Sequence, residues 1–343
     1  MDRSELLIEP ILDAVDKAPL LDKEKLNESS SIETIKKIFI DKIPDIRSRN
    51  KLATGIFSGL LREKRGEGYS VQDYWCVPLD MLLLEIEFAR ATIGYYGRHI
   101  SPKVPADKRN LEAALFFLQR RACVVASEIH CLLENGYADG AESRWRTLNE
   151  LAITSAFLLQ KGDEIAERYT KYRAVIDLRK NKTLKDQAEN HLSNPGPNQS
   201  LETRDAIEKS IETFSEIIMS LEEEVSKLCD RFGPSFGNYP NGWAAAAFSN
   251  NHKKRVVSLT EMANTVIGST LIPYYKLSVR AFANDGVHQG SVGDVRSRGD
   301  FGPTDTVILG ASPVGLYLPI SNTAEDLAVT TNALLSILPM WQS

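Results

Sequence analysis

The chain has 343 residues, room for one large domain or two ordinary ones. Its 43% hydrophobic and 25% charged residues exclude a disordered chain, a collagen and a simple coiled coil. A net charge of −5 with a pI near 5.7 excludes a surface built throughout to wrap duplex nucleic acid.

The first ten residues, MDRSELLIEP, put acids where a signal peptide carries a basic head, so a cytoplasmic location is expected. Helices are predicted over 4–17, 31–43 and 45–65, the last opened by Pro44, and a linker over Gly66–Tyr69. Another helix is predicted over 73–97. It holds the most apolar stretch of the chain, Val77–Phe88, which Asp80, Glu85 and Glu87 interrupt, so no membrane-spanning helix is expected.

The clearest periodicity runs from about 106 to 136. Leu111, Leu115, Leu118, Ala122, Val125, Ile129 and Leu132 alternate at four and three residues, and Phe116, Cys123, Ala126 and Leu133 form a second row beside them. Two adjacent rows make a face too wide for a two-stranded seam, so this helix is predicted to be central in a bundle, ended by Gly136. Helices follow at 140–160 and 163–180, then a linker at 182–200 containing Asn-Pro-Gly-Pro at 194–197.

The next helix, about 201–231, repeats the pattern at Ile207, Ile211, Phe214, Ile218, Leu221, Val225 and Leu228. Nine acids and three bases within 201–230 give it −6, which reads either as a solvated outer face or as a docking face for a basic partner protein. A linker at 232–242 precedes a helix at 257–285, kinked at Pro273.

Residues 286–320 hold seven of the chain's 21 glycines. Two β-like runs there, Thr306–Leu309 and Leu316–Leu318, predict a small hairpin around Gly310 to Gly315. A last helix is predicted over 323–339, capped by Asn322 and Glu325. The expected fold is thus all-α, a multi-helix bundle with a small glycine-rich, partly β segment near the C-terminus.

The four cysteines (76, 123, 131, 229) form no C-x-x-C pair, and Cys123 and Cys131, eight residues apart on one helix, stand about 12 Å apart, too far to bridge. Buried free thiols are expected. Five scattered histidines supply no metal-ligand spacing, so neither metal nor cofactor is expected. Nucleotide-cradling glycine motifs, H-E-x-x-H and G-x-S-x-G are all lacking.

The chemistry-bearing candidates centre on 143–169. Arg146 and Glu150 lie four apart beside the apolar stripe Trp145, Leu148, Ala152, Ala156 and Leu159. They read as a structural ion pair, or as an anion-binding guanidinium held by a carboxylate that can also move a proton. Arg144, two residues before Arg146 in the same stretch, is a second candidate for substrate contact. His130 sits on the second apolar row of the central helix, as a hydrogen-bonded core residue or a titratable group facing the same interior. His288 opens the glycine-rich segment on a loop suited to meeting an anion, with Ser278 and Arg280 close before it. Seven bases against three acids over 251–299 make a local +4, compatible with a phosphate or RNA contact or with the acidic helix.

The block 107–180, with ENGYADGAESRWRTLNELAITSAFL and GDEIAERYTKYRAVIDLRKNK, resembles the bacterial domain-of-unknown-function family 5677. Arg146, Leu148 and Glu150 match its arginine followed by Leu-x-Glu, and Tyr275, Ser278 and His288 are the candidates for the Tyr, Ser and His that the family carries before a glycine-rich segment, with the last two ten positions apart, a wider spacing than the family's. The resemblance covers about 107–320. It implies a helical bundle domain over 101–343 with residues 1–100 as an N-terminal helical extension. Some helical bacterial families with an arginine and a histidine on facing helices belong to the HEPN group of nucleases. That signature, an arginine followed by a histidine after four to six residues, is met nowhere here.

Two functions follow as expectations. One is an RNase-like toxin or phage-defence effector cleaving RNA without metal: Arg146 holds a phosphate, Glu150 orients it, His288 or His130 transfers the proton, and Tyr275, Ser278, Arg280 and Arg144 contact substrate. The other is a non-catalytic sensor or scaffold that binds a partner protein or small anion, with self-association as a further expectation.

Overall fold

The computed structural model describes residues 71–194, 201–248, 256–266 and 315–337. All regular structure among them is helical, which confirms the all-α architecture. Nine α-helices follow one another: α1 Val71–Tyr95, α2 Arg109–Glu134, α3 Ala138–Lys161, α4 Asp163–Lys171, α5 Arg173–Ser193, α6 Leu201–Phe232, α7 Ser235–Asn238, α8 Leu259–Val266 and α9 Tyr317–Leu335. A π-turn (Tyr96–Ile100) follows α1, and a 3-10 turn (Gly242–Ala247) follows α7.

Glycine sets one helix end by a clear mechanism. Gly136, at φ +76, lets its own N–H reach Leu133 O at 3.0 Å and the Tyr137 N–H reach Leu132 O at 2.9 Å. These two bonds satisfy the last carbonyls of α2, the Schellman arrangement that favours glycine.

The chain divides into two compact units. One takes Leu115–Ala156 with the described parts of Met1–Val104 and Ile267–Ser343; the other takes Pro105–Ala114 and Phe157–Val266. The core of the first is built around α2, as the two-row pattern requires. Ala122, Cys123, Val125, Ala126, Ile129 and Leu133 pack with Leu79, Leu82, Ile86 and Ala89 of α1, with Trp145 and Leu148 of α3, and with Leu327 of α9. Residues 71–104 therefore contribute core to this unit.

The second unit is organised by a buried guanidinium. Arg168 of α4 is 2% exposed; its Nε donates to Trp243 O at 3.2 Å and an Nη donates to Phe232 O at 2.8 Å. Its charge lies over the rings of Phe232 and Phe236, at 4.9 and 5.8 Å. A planar fork that reaches two carbonyls and two ring faces suits arginine, not lysine. Burial holds its pKa below the ordinary value, against the opposing pull of the Glu164 carboxylate. At the other end of α4, Asp163 accepts the Leu111 N–H and the Asn110 side-chain amide, both at 2.8 Å, and so satisfies a donor at the start of α2. Helices α5 and α6 pair as a hairpin, with Lys182 meeting Glu222 at 2.6 Å.

Several expectations are corrected. Leu316–Leu318 is not a strand: Leu316 is already in the helical region, and Tyr317 opens α9. Pro319 suits the first helical turn, and Leu316, Ile320, Ala324 and Leu327 repeat at helical spacing against the core. Asn322 is consequently not a cap but a buried residue in the second turn. The predicted helix 163–180 divides at Tyr172, and α5 continues to Ser193 through residues expected to be a linker, because nothing before Pro195 breaks it. All four cysteines are free, but Cys76 and Cys131 are exposed and Cys229 is half-buried; only Cys123 is buried. The helices expected at 4–17, 31–43 and 45–65, the Gly66–Tyr69 linker, the Pro273 kink and the glycine-rich segment up to residue 314 lie outside the described residues.

Candidate functional site

Within the first unit the polar residues gather where α3 faces α9. Trp145 and Asn149 are one turn apart on α3, and both are buried. Trp145 Nε1 donates to Asp326 Oδ2 at 2.7 Å, and Asn149 Nδ2 donates to the same oxygen at 3.1 Å. Asp326 is 2% exposed, so these two donors offset the cost of taking a carboxylate out of water. From α2, Gln119 Nε2 donates to Thr331 Oγ1 at 2.7 Å, a second polar tie to α9. Two buried amide oxygens, Gln119 Oε1 and Asn149 Oδ1, accept no hydrogen bond among the described residues. Together these groups make a polar seam inside an apolar unit, an arrangement that packing alone does not call for.

A second carboxylate borders the seam. Glu325 precedes Asp326 on α9, with Ser321 Oγ 3.4 Å from its Oε1. Glu85 of α1 stands between the buried Leu84 and Ile86. Burial first, and the Glu325 charge second, push the Glu85 carboxyl up to about 7. At neutral pH this side chain is therefore close to half protonated and can either give or accept a proton.

The residues expected from the sequence distribute unevenly around this seam. Arg146 is half-buried, one residue after Trp145 and three before Asn149, at the edge of the helix face that meets α9. Glu150 is exposed; a step of four residues advances about 40° around a helix and carries it off that face. Arg144 is half-buried, paired with Glu128, its Nη1 3.4 Å from Thr147 Oγ1. His130 is buried, with Nε2 3.0 Å from Leu79 O and Nδ1 3.5 Å from Glu134 Oε2. The Nε2 bond fixes α2 against α1, beside Pro78. His288, Ser278, Arg280 and Tyr275 lie outside the described residues. Among the described residues, no group of three or more His, Cys, Asp or Glu side chains is placed to hold a metal ion, and no helix is long and apolar enough to cross a membrane.

Glu85, Asn149, Gln119 and Asp326 were not singled out by sequence reasoning. Only Glu85 left a trace there, as an acid interrupting the most apolar stretch of the chain.

Fold and site together define an all-α protein with an acid-rich polar seam between packed helices. The chain belongs to DUF5677, a family of unknown function, whose sequence profile matches residues 112–291. His130, Arg146 and Glu150 fall inside the match, as do Tyr275, Ser278, Arg280 and His288; Glu85, Glu325 and Asp326 fall outside it. The match carries no activity and no link to the HEPN group. No curated protein and no solved structure matches the chain.

Proposed function

We propose that the protein is a metal-independent ribonuclease of the toxin or phage-defence kind, with its acid–base chemistry at the Glu85–Glu325 pair. The observation that carries this reading is the Glu85 carboxyl of α1, pushed up to about 7 by its burial and by the charge of Glu325. Internal cleavage of RNA needs one group to take the 2′-hydroxyl proton and another to protonate the departing 5′-oxygen. A carboxyl that is protonated near neutral pH beside a second carboxylate supplies both. The 2′-oxygen attacks phosphorus, the P–O5′ bond breaks, and a cyclic phosphate is left while the pair returns with its proton exchanged. Arg146, half-buried at the edge of the α3 face that meets α9, holds the phosphate. The +4 over 251–299 supports an anionic substrate.

Glu85 takes the proton-transfer role in place of His130, whose Nε2 is committed to the Leu79 carbonyl. His288 remains a proposed second participant. The test is cleavage of a labelled RNA across pH by the parent and by Glu85→Gln, Arg146→Ala, Glu150→Gln and His288→Ala. Loss of at least about a hundredfold for Glu85→Gln, with helix content unchanged, supports the reading. Parental activity in both Glu85→Gln and Arg146→Ala overturns it.

One observation favours the second reading, a non-catalytic scaffold. From Ile207 to Leu228 the α6 seam of the α5–α6 hairpin is only half-buried, as a surface that receives a partner would be.

A further inference from the structure

Where the end of α1 packs against α2, the first unit gathers positive charge on a chain whose net charge is −5. Residues 88–106 hold Arg90, Arg98 and Lys103 and no acid; residues 113–127 hold Arg120 and Arg121 and no acid. The fold brings these two stretches together. Tyr96 is fully buried with its ring 6.2 Å from that of Phe116, and Gly97 lies against the same ring, where an added Cβ would stand 3.9 Å away. Arg90 Nη2 donates to Ser127 Oγ at 2.7 Å. On α2, Phe117, Arg120, Arg121 and Val124 lie three, four and seven residues from the first and so share one stripe. All four are exposed, Phe117 at 61%. Arg98 and His99 are exposed next to Gly97 in the π-turn, with the His99 ring 4.8 Å from that of Tyr95, and Lys103 is exposed in the short turn that follows. Arg90 pairs with Glu87, whereas among the described residues Arg98, Lys103, Arg120 and Arg121 meet no carboxylate.

We propose that this surface binds single-stranded RNA, with phosphates on Arg98, Lys103, Arg120 and Arg121 and bases on the rings of Phe117 and His99. Charge selects a polyanion: four cations without an internal carboxylate concentrate a positive field on an acidic protein, and phosphates that meet them release counterions. The rings select unpaired bases. A phenyl ring 61% exposed between two arginine-bearing turns offers a face on which a base stacks, and a duplex keeps its own base faces covered. Neither stretch interleaves rings and cations well by itself; the packing of Gly97 against Phe116 sets the rings of one helix among the cations of the other. The proposal does not rest on proton transfer at Glu85, because a scaffold that cleaves nothing would hold the strand equally well.

Fluorescence anisotropy of the full chain with a labelled oligouridine of about 20 nucleotides tests it, with circular dichroism to confirm unchanged helix content. The strand is 2′-O-methylated throughout, so it lacks the hydroxyl that cleavage needs and binding is read apart from catalysis. The parent is expected to bind, with a Kd that rises steeply with salt. Arg120→Ala combined with Arg121→Ala is expected to raise Kd by more than about tenfold and to lower the salt slope by about 1.4, two phosphate contacts at about 0.7 each. Phe117→Ala is expected to raise Kd at least about fivefold and leave the slope as it was, because stacking releases no counterion. Arg173→Ala, in the second unit with its side chain 85% exposed, is expected to keep Kd within about twofold. A parent that binds no strand, equal binding of polyglutamate, or a parental Kd in either the double arginine variant or Phe117→Ala overturns the proposal.

Discussion

Glu85→Gln keeps the shape of the side chain and removes its titration. In the parent, the Glu85 carboxyl rises from its ordinary 4.5 to about 7 on folding. At about 1.4 kcal/mol for each tenfold change in proton affinity, that rise is worth about 3 kcal/mol. The sign follows from which state holds the proton. Between 4.5 and about 7 the folded chain keeps the Glu85 proton and the unfolded chain has lost it, so unfolding releases a proton and parental stability falls as pH rises through this window. Below the window both states are protonated; above it both are ionised, and the full cost of the buried charge is present. Glutamine has no such slope. Urea unfolding of both proteins at pH 4, 5, 6, 7 and 8 measures the effect. The variant should gain about 3 kcal/mol on the parent between the two ends of that series, most of it between pH 5 and 7. Stability curves that run parallel across the whole range would refute the reasoning, because the Glu85 carboxyl would then be as acidic in the folded chain as in the unfolded one.

Arg168→Ala strands the carbonyls of Phe232 and Trp243 and empties the space between the rings, so thermal unfolding should show a loss of about 3–5 kcal/mol, with little recovered by Arg168→Lys. A Cβ at Gly242 would stand 2.2 Å from Ser235 O and 2.5 Å from Phe236 O, backbone atoms that cannot rotate away. Gly242→Ala should therefore cost more than about 2 kcal/mol by urea titration. Burial pushes the Cys123 thiol up to about 12, while Cys76 and Cys131 are exposed. Thiol titration with a disulfide reagent at pH 8 should find Cys76 and Cys131 reacting at once and Cys123 only after denaturation.

The apolar frame was legible because local spacing determines it. The two rows of α2 and the seven-residue seam of α6 are burial patterns written into one helix each, and both recur in the structure at the same residues. What failed was whatever depends on a neighbour distant in sequence. Leu316–Leu318 is as compatible with a strand as with a helix until Leu316 and Leu327 are seen in one core. Asp326 looks like an ordinary surface acid; only Trp145 and Asn149, nearly 180 residues earlier, make it an interior one. Glu85 interrupts an apolar run and gains its unusual proton affinity from burial and from Glu325, neither of which its own helix reveals. Arg146 is half-buried at the edge of the face that meets α9 and Glu150 is exposed, a difference in burial that their shared i, i+4 spacing does not reveal.

The central claim is that Glu85 carries an exchangeable proton at neutral pH. Titration of the side-chain carboxyl carbons by NMR in glutamate-labelled protein, with Glu85→Gln to assign the resonance, reads that proton directly. The account predicts a midpoint of about 7 for Glu85; a midpoint at the ordinary 4.5 would contradict it.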